Sequence, residues 1–202
     1  MIIAATIIYV SMANAQSIPI EIFVGEKNYW YQHVVVKQLP DTRIGFFHVS
    51  SLYAFYDRTR GDELMSQSYL TYLLVPGVKL AVGSFYANIP GFSASAAIQF
   101  YKKVNDLTIL VVPRADLSSK PAVETMVMIE YRPPLTKTTR LYARLQAMSS
   151  VVNARHNRSY QSARIGLDIK NIQFGVALSL DEYGPETIMQ HNAGIFIRTE
   201  LF

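Results

Sequence analysis

The chain has 202 residues, half of them apolar and 17% charged, with a net charge of +4. That is enough length for one domain, and it is light on charge for a soluble one. The 19 basic residues are scattered rather than gathered in a stripe, which argues against nucleic-acid binding. Cysteine is absent, so disulfides, thiolate metal sites, cysteine nucleophiles and lipid attachment at a mature N-terminal Cys are excluded together.

The one long apolar stretch runs from Met1 to Met12 and is followed by Ala13-Asn14-Ala15, the small-x-small form read by signal peptidase. Residues 1–15 are therefore expected to be a signal peptide cut before Gln16, although no Lys or Arg precedes the apolar run. Residues 16–202 are expected to form a single domain. Beyond residue 16 no stretch approaches the roughly 20 apolar residues of a membrane helix, so any insertion must use strands.

From Ile18 onward the hydrophobic pattern has period two, the mark of strands with chemically different faces. The turn chemistry predicts strands near 18–24, 28–38, 42–56, 64–75, 78–87 and 91–102, then 106–113, 121–132, 137–150, 158–169, 172–181 and 187–202. The first two are separated at Gly25-Glu26-Lys27. The clearest alternation sets Ile172, Phe174, Val176, Leu178 and Leu180 against Gln173, Gly175, Ala177, Ser179 and Asp181. Lys170-Asn171 just before it reads as a tight hairpin turn. Val123, Val127, Ile129 and Tyr131 likewise alternate with Glu124, Met126, Met128 and Glu130.

The connections sort by length. Short ones are expected at Leu39-Pro40-Asp41, Pro76-Gly77, Lys103-Val104-Asn105, Pro133 to Thr136 and Lys170-Asn171. Longer polar ones are expected at 57–63, 88–91, 113–120, 153–157 and 182–186. Short periplasmic turns opposite longer outer loops belong to transmembrane barrels. Twelve strands leave about 15 residues for each strand and its connection, enough for the roughly 9–11 that cross a bilayer at a tilt. The expectation is an all-β antiparallel transmembrane barrel of about twelve strands, with ten as the alternative count. A soluble β-sandwich would have to fit twelve apolar faces into one core.

With its Ala13-Asn14-Ala15 site, its amphipathic strands and its terminal aromatic Phe202, the chain resembles a small bacterial outer-membrane β-barrel protein. The resemblance is architectural and selects no subfamily. It implies integral residence in the outer membrane, contact with its lipid and lipopolysaccharide, and no cofactor. Near the end, Arg198 and Glu200 share the face of Phe202, while Ala193, Ile195, Ile197 and Leu201 form the apolar face. Tyr29, Trp30, Tyr31, Tyr56, Tyr69, Tyr86, Phe92, Tyr101 and Tyr131 fall near strand ends. They are candidates for interfacial girdles, with some turned to the lumen.

If the apolar faces meet lipid, the lumen receives Glu124, Glu130, Arg132, Arg140, Arg144, Arg164, Asp168, Lys170 and Gln173. Turn lengths place Glu130 near Arg140, Arg140 near Asp168, and Arg144 facing Arg164. Such a row serves either as an ionic ladder filling a narrow barrel or as a constriction selecting small polar or anionic solutes. His48-Val49-Ser50 puts a base and a hydroxyl on one strand face. Those two residues resemble the His-x-Ser arrangement of outer-membrane phospholipases and lipid A deacylases, with no orienting Asn, Asp or Glu beside them. His33 opposite His48 gives two imidazoles, too few for a metal site. Basic residues at Arg58 to Arg60 and Arg155 to Arg158 are expected in outer loops, where they could meet lipopolysaccharide.

Three functions follow from this reading: a non-enzymatic structural or accessory barrel docked to another outer-membrane protein; a narrow porin-like channel; and a lipid hydrolase using His48 and Ser50.

Overall fold

The computed structural model describes residues 18–89 and 91–201. The signal peptide expected over residues 1–15 and the terminal Phe202 lie outside the described residues. Twelve strands form: β1 (Ile18–Gly25), β2 (Asn28–Gln38), β3 (Ile44–Phe55), β4 (Glu63–Val75), β5 (Val78–Ala87), β6 (Gly91–Val104), β7 (Leu107–Asp116), β8 (Ala122–Tyr131), β9 (Thr139–Val152), β10 (Arg155–Ile169), β11 (Ile172–Tyr183) and β12 (Ile188–Leu201). Each pairs antiparallel with its chain neighbours. The barrel closes where β1 meets β12, from Ile18 opposite Leu201 to Gly25 opposite Gly194. Antiparallel closure requires an even number of strands, and it leaves no unpaired edge.

The outer wall is largely apolar. Ile22, Val24, Leu70, Val82, Ile165, Val176, Ile195 and Ile197 are exposed on it, while Glu21, Gln67, Arg114, Arg164, Gln173 and Arg198 are buried inside. This is the reverse of a water-soluble barrel, and it is the arrangement that a hydrocarbon solvent demands. The girdle candidates divide accordingly. Tyr29, Tyr86, Phe92 and Tyr131 are exposed, whereas Trp30 and Tyr69 are buried in the interior.

Connection length does not separate the two rims as expected. At the rim where β1 starts and β12 ends, the proximal rim, residues 132–138 form a long connection. At the opposite, distal rim, 153–154 is a two-residue turn. The first difference follows from Pro133 and Pro134, which offer no N–H to a ladder. The second arises because Asn153 and Ala154 both take positive φ, 51° and 58°, so β10 begins three residues before the predicted start, with a bulge between His156 and Arg158. Lys170 and Asn171 also lie at positive φ, 51° and 66°, as a tight right-twisted hairpin requires. Replacing Lys170 by Gly is expected to raise stability by about 1 kcal/mol, read in the urea midpoint of refolding into micelles.

The interior is packed rather than hollow. One apolar cluster joins Phe47, Val49, Tyr69, Ala81, Ala97 and Val112, with Val34, Leu110 and Met126 against it, and lines the inner wall from β2 round to β8. A second joins Phe23, Trp30, Tyr142, Ala177 and Phe196 from β1, β2, β9, β11 and β12. Inward-facing glycines make room for the second. Gly166 stands opposite Gly175, and a Cβ on Gly166 would sit 2.8 Å from the Gly175 Cα. Tyr142 is the cross-strand partner of Gly166 and fills the notch.

Candidate functional site: the luminal charge network

At mid-height Glu21 of β1 is 3% exposed and lies between Arg144 of β9 and Arg164 of β10, themselves 5% and 3% exposed. Arg144 Nη2 donates to Glu21 Oε1 at 2.9 Å and also lies 2.8 Å from Oε2, where alignment for a hydrogen bond is lost. Arg164 Nε donates to Oε1 at 3.0 Å. The Arg164 guanidinium also stacks over the rings of Phe23 and Trp30, at 4.8 and 5.0 Å. One carboxylate thus holds two cations that the strand register places directly opposite each other. Like charges at that spacing persist only with a shared counter-ion.

Toward the proximal rim, Arg132 donates to Asp168 Oδ2 at 3.0 Å and to Glu200 Oε1 at 3.0 Å, with Glu130 at 3.5 Å. Arg198 donates to Gln173 at 2.8 Å and to Glu200 at 3.0 Å, and Gln173 donates to Asp168 at 3.0 Å. Below them a cavity of about 230 Å³ opens at the rim. Arg140 reaches only this mouth, where it pairs with Asp106.

Two further groups complete the network. Arg114 pairs with Asp116 at 2.7 Å and Glu124 at 3.1 Å, its guanidinium 3.8 Å above the Phe85 ring. Near the distal rim Arg158 spans the lumen from β10 to Glu63 of β4 at 2.9 Å, while also holding Asp181 at 2.8 Å. Arg60 joins Glu63 at 2.8 Å. In the exposed loop above, the Thr59 hydroxyl and amide both donate to Asp57, at 2.7 and 2.9 Å, and hold its carboxyl below the ordinary aspartate range. Thr59→Val should move that carboxyl back up, as followed by NMR titration. Because the folded pKa is the lower one, the loop's contribution from this group is present at neutral pH and lost as acid protonates Asp57.

Of the residues expected to line the lumen, Glu124, Glu130, Arg132, Arg144, Arg164, Asp168 and Gln173 take part in this network or its wall. Arg140 stands opposite Asp168, and Arg144 opposite Arg164. The expected neighbour of Glu130 was Arg140, but the register sets Arg144 there. The reason is the long 132–138 connection, which leaves Arg140 bridged to Pro134 on the β8 side. Lys170 lies in the turn itself. Sequence reasoning omitted Glu21, Glu63, Arg114, Asp116, Arg158 and Asp181. Parity would have found several of them, since Glu21 alternates with Ile20 and Ile22. Arg158, expected in an outer loop, instead points inward from β10, whereas Arg58 and Arg155 remain exposed at the distal rim.

His48 and Ser50 lie on the outer wall, in the alternation of exposed Phe46 and Leu52. They do not pair. His48 Nδ1 is 2.8 Å from Ser68 Oγ, and the Ser50 hydroxyl donates to the Met65 carbonyl at 3.2 Å. His33 stands opposite Ser50 rather than His48, although the two imidazole centroids are 5.2 Å apart. Among the described residues no group of three or more His, Asp or Glu could hold a metal ion.

No family model matches the sequence, and no curated protein matches it. Solved structures do. The NanC porin is similar over 93% of this chain and 100% of its own, with a TM-score of 0.51 at 9% identity. The KdgM porin is similar over 92% of this chain and 99% of its own, with a TM-score of 0.52 at 8% identity. KdgM in complex with disordered oligogalacturonate gives 0.51 at 8% identity over the same spans. At such identities the likeness carries the fold alone: the described residues form a closed antiparallel β-barrel of twelve strands, and the likeness to these porins is one of fold.

Proposed function

We propose that this protein is a non-enzymatic outer-membrane barrel with a closed lumen that serves as a structural or accessory subunit of an outer-membrane assembly. The observation that carries this reading is the mid-lumen plug: Glu21 of β1 bridged to Arg144 of β9 and Arg164 of β10, beside the fully buried Tyr142. A conducting path would have to part buried ion pairs, and leaving one such charge without its partner costs about 3–5 kcal/mol. Contact with lipopolysaccharide falls to the exposed Arg58 and Arg155 at the distal rim.

A narrow channel for small anionic solutes is the second reading. It is favoured by the porin fold and by the cavities of about 230 and 360 Å³ at the two rims. Against it, the luminal arginines are already matched by acids: Arg114 by Asp116 and Glu124, Arg144 and Arg164 by Glu21, and Arg158 by Glu63 and Asp181.

Planar-bilayer recording of the unmodified protein separates the two. The closed barrel gives no discrete openings. Stable open levels whose ion selectivity changes in Arg144→Ala would establish the channel instead. Hydrolysis is tested on phospholipid vesicles, where fatty-acid release above background, abolished by Ser50→Ala or Ser68→Ala, would overturn the non-enzymatic reading. The Ser50 hydroxyl bonded to a main-chain carbonyl is not poised to give its proton to His48.

A further inference from the structure

The lipid-facing wall is not uniformly apolar. On β2 to β5 the outward positions at mid-height are His33, His48, Ser50, Ser66, Ser68 and Ser84. They are contiguous by register: His33 opposite Ser50, Ser50 opposite Ser66, His48 opposite Ser68, and Ser68 opposite Ser84. Exposed Phe46, Leu70 and Val82 border this patch on the proximal side, and exposed Leu52, Leu64 and Tyr86 border it on the distal side. It therefore sits inside the apolar band and not at its edge. Elsewhere on the outer wall, β10 to β12 carry exposed Ile165, Val176 and Ile195.

Hydroxyls and imidazoles at that depth find no partners in hydrocarbon. Ser68 and Ser50 are satisfied within the chain. Small side chains such as Ser also let a second backbone approach closely.

We propose that this patch is the seam of a homodimer in the membrane, with β2 to β5 of one copy packed against β2 to β5 of another. The occupant is a second copy because the patch is self-complementary. Serine hydroxyls and neutral imidazoles each donate and accept, so a two-fold axis through the patch pairs like with like and leaves no unmatched charge. A partner of fixed charge would call for an opposite charge here, and the six patch positions carry none at neutral imidazole. The area is sufficient. Four strands about 4.8 Å apart, over about 11 residues of about 3.3 Å each, offer roughly 700 Å² per copy, close to the ~800 Å² per partner of a stable interface. The proposal deepens the accessory-subunit reading by naming the assembly surface and the partner.

The absence of cysteine makes the test direct. The full chain carrying Ser66→Cys, and separately Ile165→Cys on the far wall, is reconstituted in phosphatidylcholine vesicles and oxidised. A covalent species of twice the chain mass should form at least about tenfold more in Ser66→Cys than in Ile165→Cys. Adding Ser68→Leu and Ser84→Leu to Ser66→Cys should cut the yield about tenfold, with folding of each variant checked by its resistance to unfolding in detergent. Equal cross-linking at both walls, or none in a folded Ser66→Cys barrel, overturns the dimer. So does cross-linking in native membranes only to a protein of different mass. Because bilayer recording tests the closed lumen and cross-linking tests the seam, failure of one is distinguishable from failure of the other.

Discussion

Glu21→Ala should be among the most damaging single changes in the barrel, lowering stability by about 3–5 kcal/mol in refolding into micelles, as read from the urea midpoint. The substitution removes little volume. Its effect is electrostatic. Arg144 and Arg164 are directly opposed across the β9–β10 ladder, both almost fully buried, and Glu21 is the acid that both of them contact. Without it, two guanidiniums face each other in a low-dielectric interior, partly compensated by the rings over Arg164, by its hydrogen bonds to Ser162 and the Ala163 carbonyl, and by Glu130 across the β8–β9 ladder from Arg144. Glu21→Gln keeps the shape and the acceptor oxygen but not the charge, and it should recover at most half of the loss. The triple change Glu21→Met, Arg144→Met, Arg164→Leu removes all three charges together. It should be far milder than Glu21→Ala alone, because filling the volume with apolar groups avoids the unpaired charges. If Glu21→Ala and the triple variant are equally destabilised, packing rather than charge pairing holds this level of the lumen.

The strands were legible in the sequence because each must present lipid on one side and the lumen on the other, which forces a period of two along every crossing. Hairpin registers were legible where the turn was tight. β10 and β11 fold over the expected Lys170-Asn171 turn, so Asp168 opposite Gln173 follows from counting back, whereas Arg144 opposite Arg164 also needs the one-residue bulge between His156 and Arg158. Across 132–138 the count fails, and Glu130 meets Arg144 instead of Arg140. Contacts across the lumen were not legible at all. Glu21 and Arg144 are 123 residues apart, and Glu63 and Arg158 are 95 apart. Their meeting depends on barrel closure and on how near the walls approach, which no local pattern encodes. The His48 partner was missed for a related reason. Ser50 is two residues away on the same strand, but the hydrogen bond goes to the neighbouring strand, where the β3–β4 register delivers Ser68.

The approach of the walls turns on Tyr142, and Tyr142→Ala should cost about 3–5 kcal/mol. The ring is wholly buried, packs on Phe196 at 5.5 Å, and lies against the Gly166–Gly175 notch, whose glycines carry no side chain to fill the space. Its hydroxyl donates to Glu130 Oε2 at 3.2 Å, so Tyr142→Phe isolates the polar share and should cost only about 1 kcal/mol. Gly175→Val works from the other side. Its side chain would meet the backbone of β10 at Ile165 and Gly166 and force the strands apart, a strain of about 1–3 kcal/mol. The two losses have different consequences for the lumen. Tyr142→Ala leaves the ion pairs of Glu21 intact, and the barrel, though weakened, should still show no discrete openings. Combining it with Arg144→Ala removes both halves of the plug, and that pair is the one expected to turn a closed barrel into a conducting one. If Tyr142→Ala alone conducts, the aromatic ring and not the charge triad is the seal. If the double variant folds and stays silent, the cluster around Phe47 and Tyr69 closes the lumen without either.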